Sequence, residues 1–389
     1  MSAAVLPTTQ FGRYLLVAKL GEGGMAEIHL AVQEMARAGR RFVIIKRIRE
    51  QFADDPDYVD YFLTEGKLAL KMSHPNLPMA YELGQIGDAH FLAMEFIRGP
   101  TLLDLLRAAH RRGRKLSVRS AVTIARGVAA ALEHAHALCD VDGEPLAIIH
   151  RDVTPQNIIV GYNGTIKLID FGIAQAAVQS HKTATGVVKG KFSYLAPEQV
   201  DRKSKVDQRS DLFSLGVMLH ESLLGRVLFR AKTDRETIKR VLRGPIPDPS
   251  KLRTDVPTSL GRVVLRALAR DPDERYPTAA GLLGDLEFVA EREGLGLSIL
   301  QLREEVRTLC GAPEDFSIPA ITQVDSTHID FDVVSDDADT PTDAGIAGDP
   351  DLRYFLARAG VVVPSRRPHR LRTTTTDVEF SDLLARLER

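Results

Sequence analysis

The run His150-Arg151-Asp152-Val153-Thr154-Pro155-Gln156-Asn157 places a carboxylate that can accept or orient a proton close to a carboxamide that can ligate a hard cation. Asn157 opens an apolar run, Ile158 to Val160, that turns at Asn163-Gly164 and returns through Thr165 to Ile169 to reach Asp170. Asn-Gly between two apolar runs predicts a β-hairpin. Asn157 and Asp170 stand equally far from the centre of that dipeptide, so hairpin pairing is expected to set the amide and the carboxylate side by side. Two hard oxygen ligands, completed by phosphate oxygens and water, suit magnesium rather than zinc.

Two further groups fit an anionic ligand. The run Gly21, Glu22, Gly23, Gly24 serves equally well as a plain hairpin turn or as a loop whose backbone N–H groups approach phosphate oxygens unobstructed. Lys46 ends the apolar stretch Val43, Ile44, Ile45, and by itself reads as a solvated lysine. Glu65 changes that reading. It falls within the stripe Val59, Phe62, Ala69, Met72 of a helix expected from Tyr58 to Met72, and an inward carboxylate needs a partner. An inward lysine and an inward glutamate can neutralise one another and leave the ammonium facing an anion.

The elements that must position these groups change character along the chain. Strand-like segments come first, with Arg13 to Leu20 and Glu27 to Val32 flanking the glycine run and Phe42 to Ile48 following. Helical periodicity dominates later. Ser120 to Leu138 and Ser210 to Leu224 are its strongest examples, the second apolar nearly all round and expected to be buried. An α+β architecture is predicted, with a small antiparallel sheet lobe carrying one main helix and a larger, mainly helical lobe. This two-lobed domain is expected over residues 11–293, followed at 294–310 by one more helix, Leu297 to Leu309. Residues 311–389 read as a flexible tail, in which 311–352 is rich in aspartate and lacks lysine and arginine. Arg366, Arg367, Arg370 and Arg372 then precede Thr373 to Thr376.

A net charge of -1 over 389 residues gives no overall electrostatic footprint for nucleic acid. Cys139 and Cys310 lack metal-ligand spacing and suit a reducing compartment, and no apolar stretch is long enough to span a bilayer. The expectation is a cytoplasmic protein with no nucleic-acid partner and no membrane span.

Taken in order, the glycine-rich loop, Lys46, Glu65, His150 to Asn157, Asp170-Phe171-Gly172 and Ala196-Pro197-Glu198 resemble the eukaryotic-type (Hanks-type) protein kinase family, in its bacterial serine/threonine branch. The resemblance covers roughly Phe11 to Glu293 and implies ATP and Mg2+ as cofactors and proteins as substrates. It implies that Leu20, Gly21, Glu22, Gly23, Gly24, Met25, Ala26 and Ile28 cover the nucleotide. Lys46, held by Glu65, would grip the phosphates, Asp152 would orient the substrate hydroxyl, and Asn157 and Asp170 would bind magnesium. Met94 falls at the gatekeeper position, and the backbone of Glu95 and Ile97 would meet adenine. Asp211 would anchor the catalytic-loop backbone, and Arg275 would pair with Glu198. Arg151, beside Asp152, implies a phosphate-ordered activation segment, with Thr183 and Thr185 as acceptors.

The chain also departs from the family's pattern. Ala26 replaces a loop glycine and Ile44 an alanine, which bears on nucleotide affinity. Thr154 stands where serine/threonine kinases usually carry a lysine, and Lys191 where they carry a threonine. The expected activity is transfer of the γ-phosphate of ATP to protein serine or threonine, including autophosphorylation in bacterial signalling. Tyrosine or dual specificity is the alternative, followed by a pseudokinase scaffold. Lys191 is expected to supply the charge missing at Thr154, and the tail to recruit a phosphothreonine-binding partner.

Overall fold

The computed structural model describes residues 9–23, 25–35, 39–171, 191–200, 206–296 and 299–311, together with the short antiparallel pair 317–318 and 378–379. The first lobe contains β1 (Thr9–Phe11), β2 (Tyr14–Gly23), β3 (Ala26–Met35), β4 (Gly39–Ile48), β5 (Ala80–Ile86) and β6 (Ala89–Glu95). They form one antiparallel sheet in the order β1-β2-β3-β4-β6-β5. Strand alternation sorts its side chains. In β4, Val43 and Ile45 are fully buried with Tyr14, Phe91 and Ala93 on one face. Ile44, Lys46 and Ile48 therefore share the other face, where the lobe's main helix lies.

After α1 (Glu50–Ala53), α2 (Pro56–Lys71) starts where the sequence provides a cap. The Asp55 carboxylate accepts from Asp57 N at 3.1 Å, and Pro56 occupies the first turn, where a missing N–H costs nothing. Its buried face is Phe62, Glu65 and Gly66. A Cβ at Gly66 would stand 2.5 Å from Leu83 Cδ1, so glycine beside Glu65 lets α2 press onto β5.

The second lobe is mainly helical. It comprises α3 (Leu102–Arg111), α4 (Val118–His136), the hairpin β7 (Ile158–Val160) and β8 (Ile166–Leu168), α5 (Pro197–Val200), α6 (Arg209–Leu224), α7 (Asp234–Arg243), α8 (Pro249–Leu252), α9 (Thr258–Ala267), α10 (Ala279–Arg292) and α11 (Ile299–Cys310). Every residue of α6 from Ser210 to Leu224 is buried, as its all-round apolar pattern predicts. Gly216 on α6 faces Ala267 and Leu268, where an added Cβ would meet both side chains at 3.1 Å. The expected two-lobed α+β architecture is present. Helix α11 buries Leu302, Val306, Leu309 and Cys310 in the main core. Among the described residues no helix is long and apolar enough to cross a membrane.

One expectation is corrected. Ile158 pairs with Leu168 and Val160 with Ile166, so Asn157 stands opposite Ile169 rather than Asp170. The Ile169 N–H donates to Asn157 O at 2.8 Å. The cause is the turn, in which Gly161 N donates to Thr165 O at 2.8 Å and Gly164 takes φ 85°. Tyr162, Asn163 and Gly164 thus make a three-residue loop with glycine in the left-handed position, which shifts the register by one residue from that of a two-residue Asn-Gly turn.

Candidate active site

Alternation on β4 and the inward stripe of α2 bring Lys46 and Glu65 together, and the Lys46 ammonium donates to Glu65 Oε1. Both side chains are largely buried, and Lys46 Nζ also lies 3.8 Å from Asp170 Oδ1. One ammonium thus faces two carboxylates. The surplus negative charge and the half-exposed Asp170 carboxylate suit a divalent cation. Asp170 itself takes φ 58°, a left-handed backbone uncommon outside glycine and concentrated at functional sites.

Asp211, wholly buried at the start of α6, organises the His150 to Asn157 segment. Its Oδ2 accepts from His150 N at 2.8 Å, and its Oδ1 from Arg151 N at 2.7 Å. His136 Nε2 lies 2.8 Å from Oδ2. These bonds hold Arg151 at φ 65° and thereby set the direction in which Asp152 leaves the loop. His150 is fully buried, with Nε2 3.1 Å from Ile169 O and its ring 4.5 Å from that of Phe171. Burial lowers its pKa, and the ring serves as packing and hydrogen bonding beneath the loop. Asn157 Nδ2 donates to Asp152 O at 2.9 Å, which commits the amide nitrogen and leaves Oδ1 as the amide's ligand atom.

Above the cleft, Gly23 pairs with Ala26 at the tip of the β2–β3 hairpin, while Gly24 lies outside the described residues. Glu22 is bound by Lys19 at 2.7 Å and Arg49 at 2.6 Å, so its carboxylate braces the hairpin and only its backbone is available to a ligand. Leu20 and Ile28 are buried in one apolar cluster with Ile44, against which Met94 packs, whereas Met25 and Ala26 are buried toward α2. The Glu95 N–H is already bonded to Met79 O at 2.8 Å. At the next segment, Tyr162 N donates to Arg98 O at 3.0 Å and Val160 N to Pro100 O at 2.9 Å, tying residues 98–100 to β7. Gly99 permits this approach, since a Cβ there would stand 2.3 Å from Val160 O.

The profile of the protein kinase domain matches residues 14–285. The chain belongs to the protein kinase domain family. It is 39% identical over 291 residues to the tyrosine-protein kinase MasK of Myxococcus xanthus, covering 74% of this chain and 45% of that protein. It is 35% identical over 318 residues to the serine/threonine-protein kinase PknB of Mycolicibacterium smegmatis, covering 80% and 48% respectively. The chain therefore spans about half the length of these relatives. Among solved structures, the Mycobacterium tuberculosis PknI kinase domain matches with a TM-score of 0.53 and 25% identity, covering 75% of this chain and 100% of that one. The fold is the protein kinase fold.

Within this kinase domain the expected Glu198–Arg275 pair is present and buried, with Arg275 Nη1 and Nη2 donating to Glu198 Oε1 and Oε2 at 2.7 and 2.8 Å. Burial alone would raise the Glu198 pKa, but the bonds from Arg275 and Ser210 outweigh it and hold the carboxyl below its ordinary value. Thr154 is buried, and its carbonyl accepts from Asn157 N at 3.0 Å. Lys191 opens a short 3-10 turn, Lys191–Tyr194, but its side chain lies outside what the structure describes, as do Thr183, Thr185 and Thr373 to Thr376.

Several supporting residues escaped the sequence reading. Lys167 on β8 donates to Glu95 Oε2 at 2.8 Å and to Leu77 O at 2.9 Å, while Asn76 Nδ2 donates to Ile166 O at 2.9 Å. Together they fasten the hairpin that leads to Asp170 to the turn between α2 and β5 and to the end of β6. A lysine between Ile166 and Leu168 in a short apolar strand was the available signal. Tyr194 and Glu221 form a second hidden pair, 2.6 Å apart and buried, which gave no local sequence signal.

Proposed function

We propose that the chain is an ATP- and magnesium-dependent protein kinase that transfers the γ-phosphate of ATP to serine or threonine hydroxyls of protein substrates, itself included. The observation that carries this reading is the Lys46 ammonium held between Glu65 and Asp170, in a cleft where Asn157 is tied to the backbone of Asp152. Residues from four distant stretches of sequence converge there, each chemically competent for its part. Lys46 holds the phosphates, and its charge is aligned rather than quenched because Glu65 fixes its direction. Asp152 receives or orients the proton of the substrate hydroxyl as that oxygen bonds to the γ-phosphorus and the bond to the bridging β,γ-oxygen breaks. The Asp170 carboxylate and Asn157 Oδ1 would hold magnesium, which when bound would neutralise phosphate charge. Adenine is received at Ile97 and at the Glu95 carbonyl, the Glu95 N–H being spent on Met79. The glycine loop contributes backbone N–H groups.

Radiolabel transfer from ATP to a generic protein, compared between the wild type and Asp152→Asn, tests the reading. Transfer by the variant at the wild-type rate would overturn it. A second reading, tyrosine or dual specificity, is favoured by the 39% identity to a protein named as a tyrosine kinase. Thr154 in place of the usual lysine points the same way. Phosphoamino-acid analysis of the product separates the two readings.

Three parts of the proposal concern residues or side chains outside what the structure describes. Phosphate on Thr183 or Thr185 pairs with Arg151 and orders the activation segment, so the double alanine variant loses activity. Phosphorylated Thr373 to Thr376 recruit a phosphothreonine-binding partner, and mass spectrometry finding no phosphate there would remove the basis for that. Lys191 supplies the cation absent at Thr154. A cytoplasmic location is part of the same proposal, and fractionation would check it.

A further inference from the structure

The turn after α3 is a solvent-facing cationic loop. His110, Arg111, Arg112, Gly113, Arg114 and Lys115 are all exposed, and Gly113 allows the tight turn with φ 63°. The nearby carboxylates direct their hydrogen bonds to other groups, although Asp104 also feels the charge of Arg111 and Asp255 that of Lys115. Asp104 is buried and accepts from Thr101 N and Oγ, Asp255 is bonded by Arg253, and Glu305 accepts from Ser117 N and Oγ at 2.8 Å. Four cations within five residues thus present a local positive field on a chain whose net charge is -1.

Helix α11 ends at this loop. Arg112 Nη1 donates to Leu309 O in its last turn, and the buried Cys310 thiol feels the charges of Arg111 and Arg112. Gly311 N donates back to Arg307 O at 2.9 Å, so the point at which the chain leaves the lobe is fixed beside the cations. The sequence that departs from there, residues 312–352, contains eleven aspartates and glutamates and no lysine or arginine. Glu314 and Asp315 come within the first four residues, a reach of roughly 14 Å or less from Gly311 at about 3.5 Å per residue.

We infer that the loop formed by Arg111, Arg112, Arg114 and Lys115 is the docking surface for the chain's own acidic segment, residues 312–352. Charge complementarity supplies the attraction. The short tether from α11 supplies an effective concentration in the millimolar range, so pairs too weak to hold two separate molecules hold this one intramolecularly. Being electrostatic and solvent-facing, the contact is screened by salt. The inference does not depend on catalytic activity.

Carbodiimide cross-linking of the full chain tests it, because the reagent joins only carboxylates and amines already in contact. Lys115 is expected to couple to carboxylates of residues 312–352, in a yield independent of protein concentration between about 1 and 20 µM. The yield should fall at least fivefold when NaCl is raised from about 50 to 500 mM. It should fall similarly in R111E/R114E, which keeps Lys115 and the Arg112 bond to Leu309, with circular dichroism confirming that the variant is folded. Coupling of Lys115 only to Asp255, or to nothing, would overturn the inference. So would yields that rise in proportion to protein concentration, which would mark a contact between copies.

Discussion

Replacing Asp211 with asparagine tests whether the catalytic loop's shape, and not only its residues, matters. The Asp211 carboxylate has no exposure and receives three close contacts, from His150 N, Arg151 N and His136 Nε2. An amide of the same shape keeps one oxygen and turns its NH2 toward a backbone donor. Leaving one buried N–H unpaired costs about 1–3 kcal/mol, and loss of charge assistance in the remaining bonds adds about 1 kcal/mol or more. Asp211→Asn should therefore lower the free energy of unfolding by roughly 2–4 kcal/mol, measurable by urea titration. The effect on catalysis should be separate. Arg151 sits at φ 65°, a conformation worth about 1–3 kcal/mol of strain that the Asp211 bonds oppose. Once the Arg151 bond is lost the loop should relax, and Asp152, the residue proposed to orient the substrate hydroxyl, should shift with it. We expect kcat to fall by about 100-fold, equivalent to about 2.7 kcal/mol, with KM for ATP changed by no more than a few-fold. The assay is steady-state phosphate transfer at a temperature where circular dichroism shows the variant folded. A kcat within threefold of wild type, in a protein destabilised as calculated, would refute the reasoning and make Asp211 a support of the fold only.

Lys46→Ala, Asp152→Asn and Asp170→Asn should each reduce phosphate transfer to background while preserving the far-ultraviolet circular dichroism spectrum, because their side chains make polar contacts and none belongs to the apolar core clusters. Arg275→Lys should destabilise the second lobe by roughly 3–5 kcal/mol in denaturant titration, since lysine cannot replace the bidentate pair with Glu198 and the bonds to Ala269 O, Arg209 O and Arg270 O. Burial pushes the Glu221 carboxyl up to about 7 from an ordinary 4.5, so its contribution to stability is full below about pH 4.5 and is lost as pH rises toward 7. Glu221→Gln should flatten that part of the stability profile between pH 5 and 7. Lys191→Ala should lower kcat by roughly 10- to 1000-fold, the loss of one charged transition-state contact, and Thr154→Lys in the same molecule should restore part of it. Near-wild-type kcat in the Lys191 variant would make the exchange incidental.

What the sequence disclosed and what it hid divide along a physical line. The pairing of Lys46 with Glu65 was legible because two inward charges on neighbouring elements demand one another, while Asp152 and Asn157 stood out as candidates through their fixed spacing. The helices were legible because burial imposes periodicity, and α6, buried from Ser210 to Leu224, showed it most clearly. The supports were less visible. Lys167 reaches Glu95 across 72 positions and Tyr194 reaches Glu221 across 27, and nothing local in a sequence encodes such partners. Asp211 and Arg275 were found only through family resemblance, since taken singly each looks like a helix-capping aspartate and a surface arginine.

The hairpin shows how a small misreading bears on mechanism. Had Asn157 and Asp170 been opposite one another, the strand ladder itself would have fixed both side chains. Instead the ladder reaches its limit at the Ile169 N–H bond to Asn157 O, and Asp170 lies one residue beyond, at φ 58°. The direction of its carboxylate must then be set from outside the hairpin. The Lys46 ammonium lies 3.8 Å from it and is itself oriented by Glu65 on α2. The position of α2 depends in turn on Gly66, whose missing side chain lets the helix seat against Leu83. The orientation of the proposed metal ligand is thus linked to the packing of one helix on one sheet, through a glycine adjacent to the glutamate in sequence.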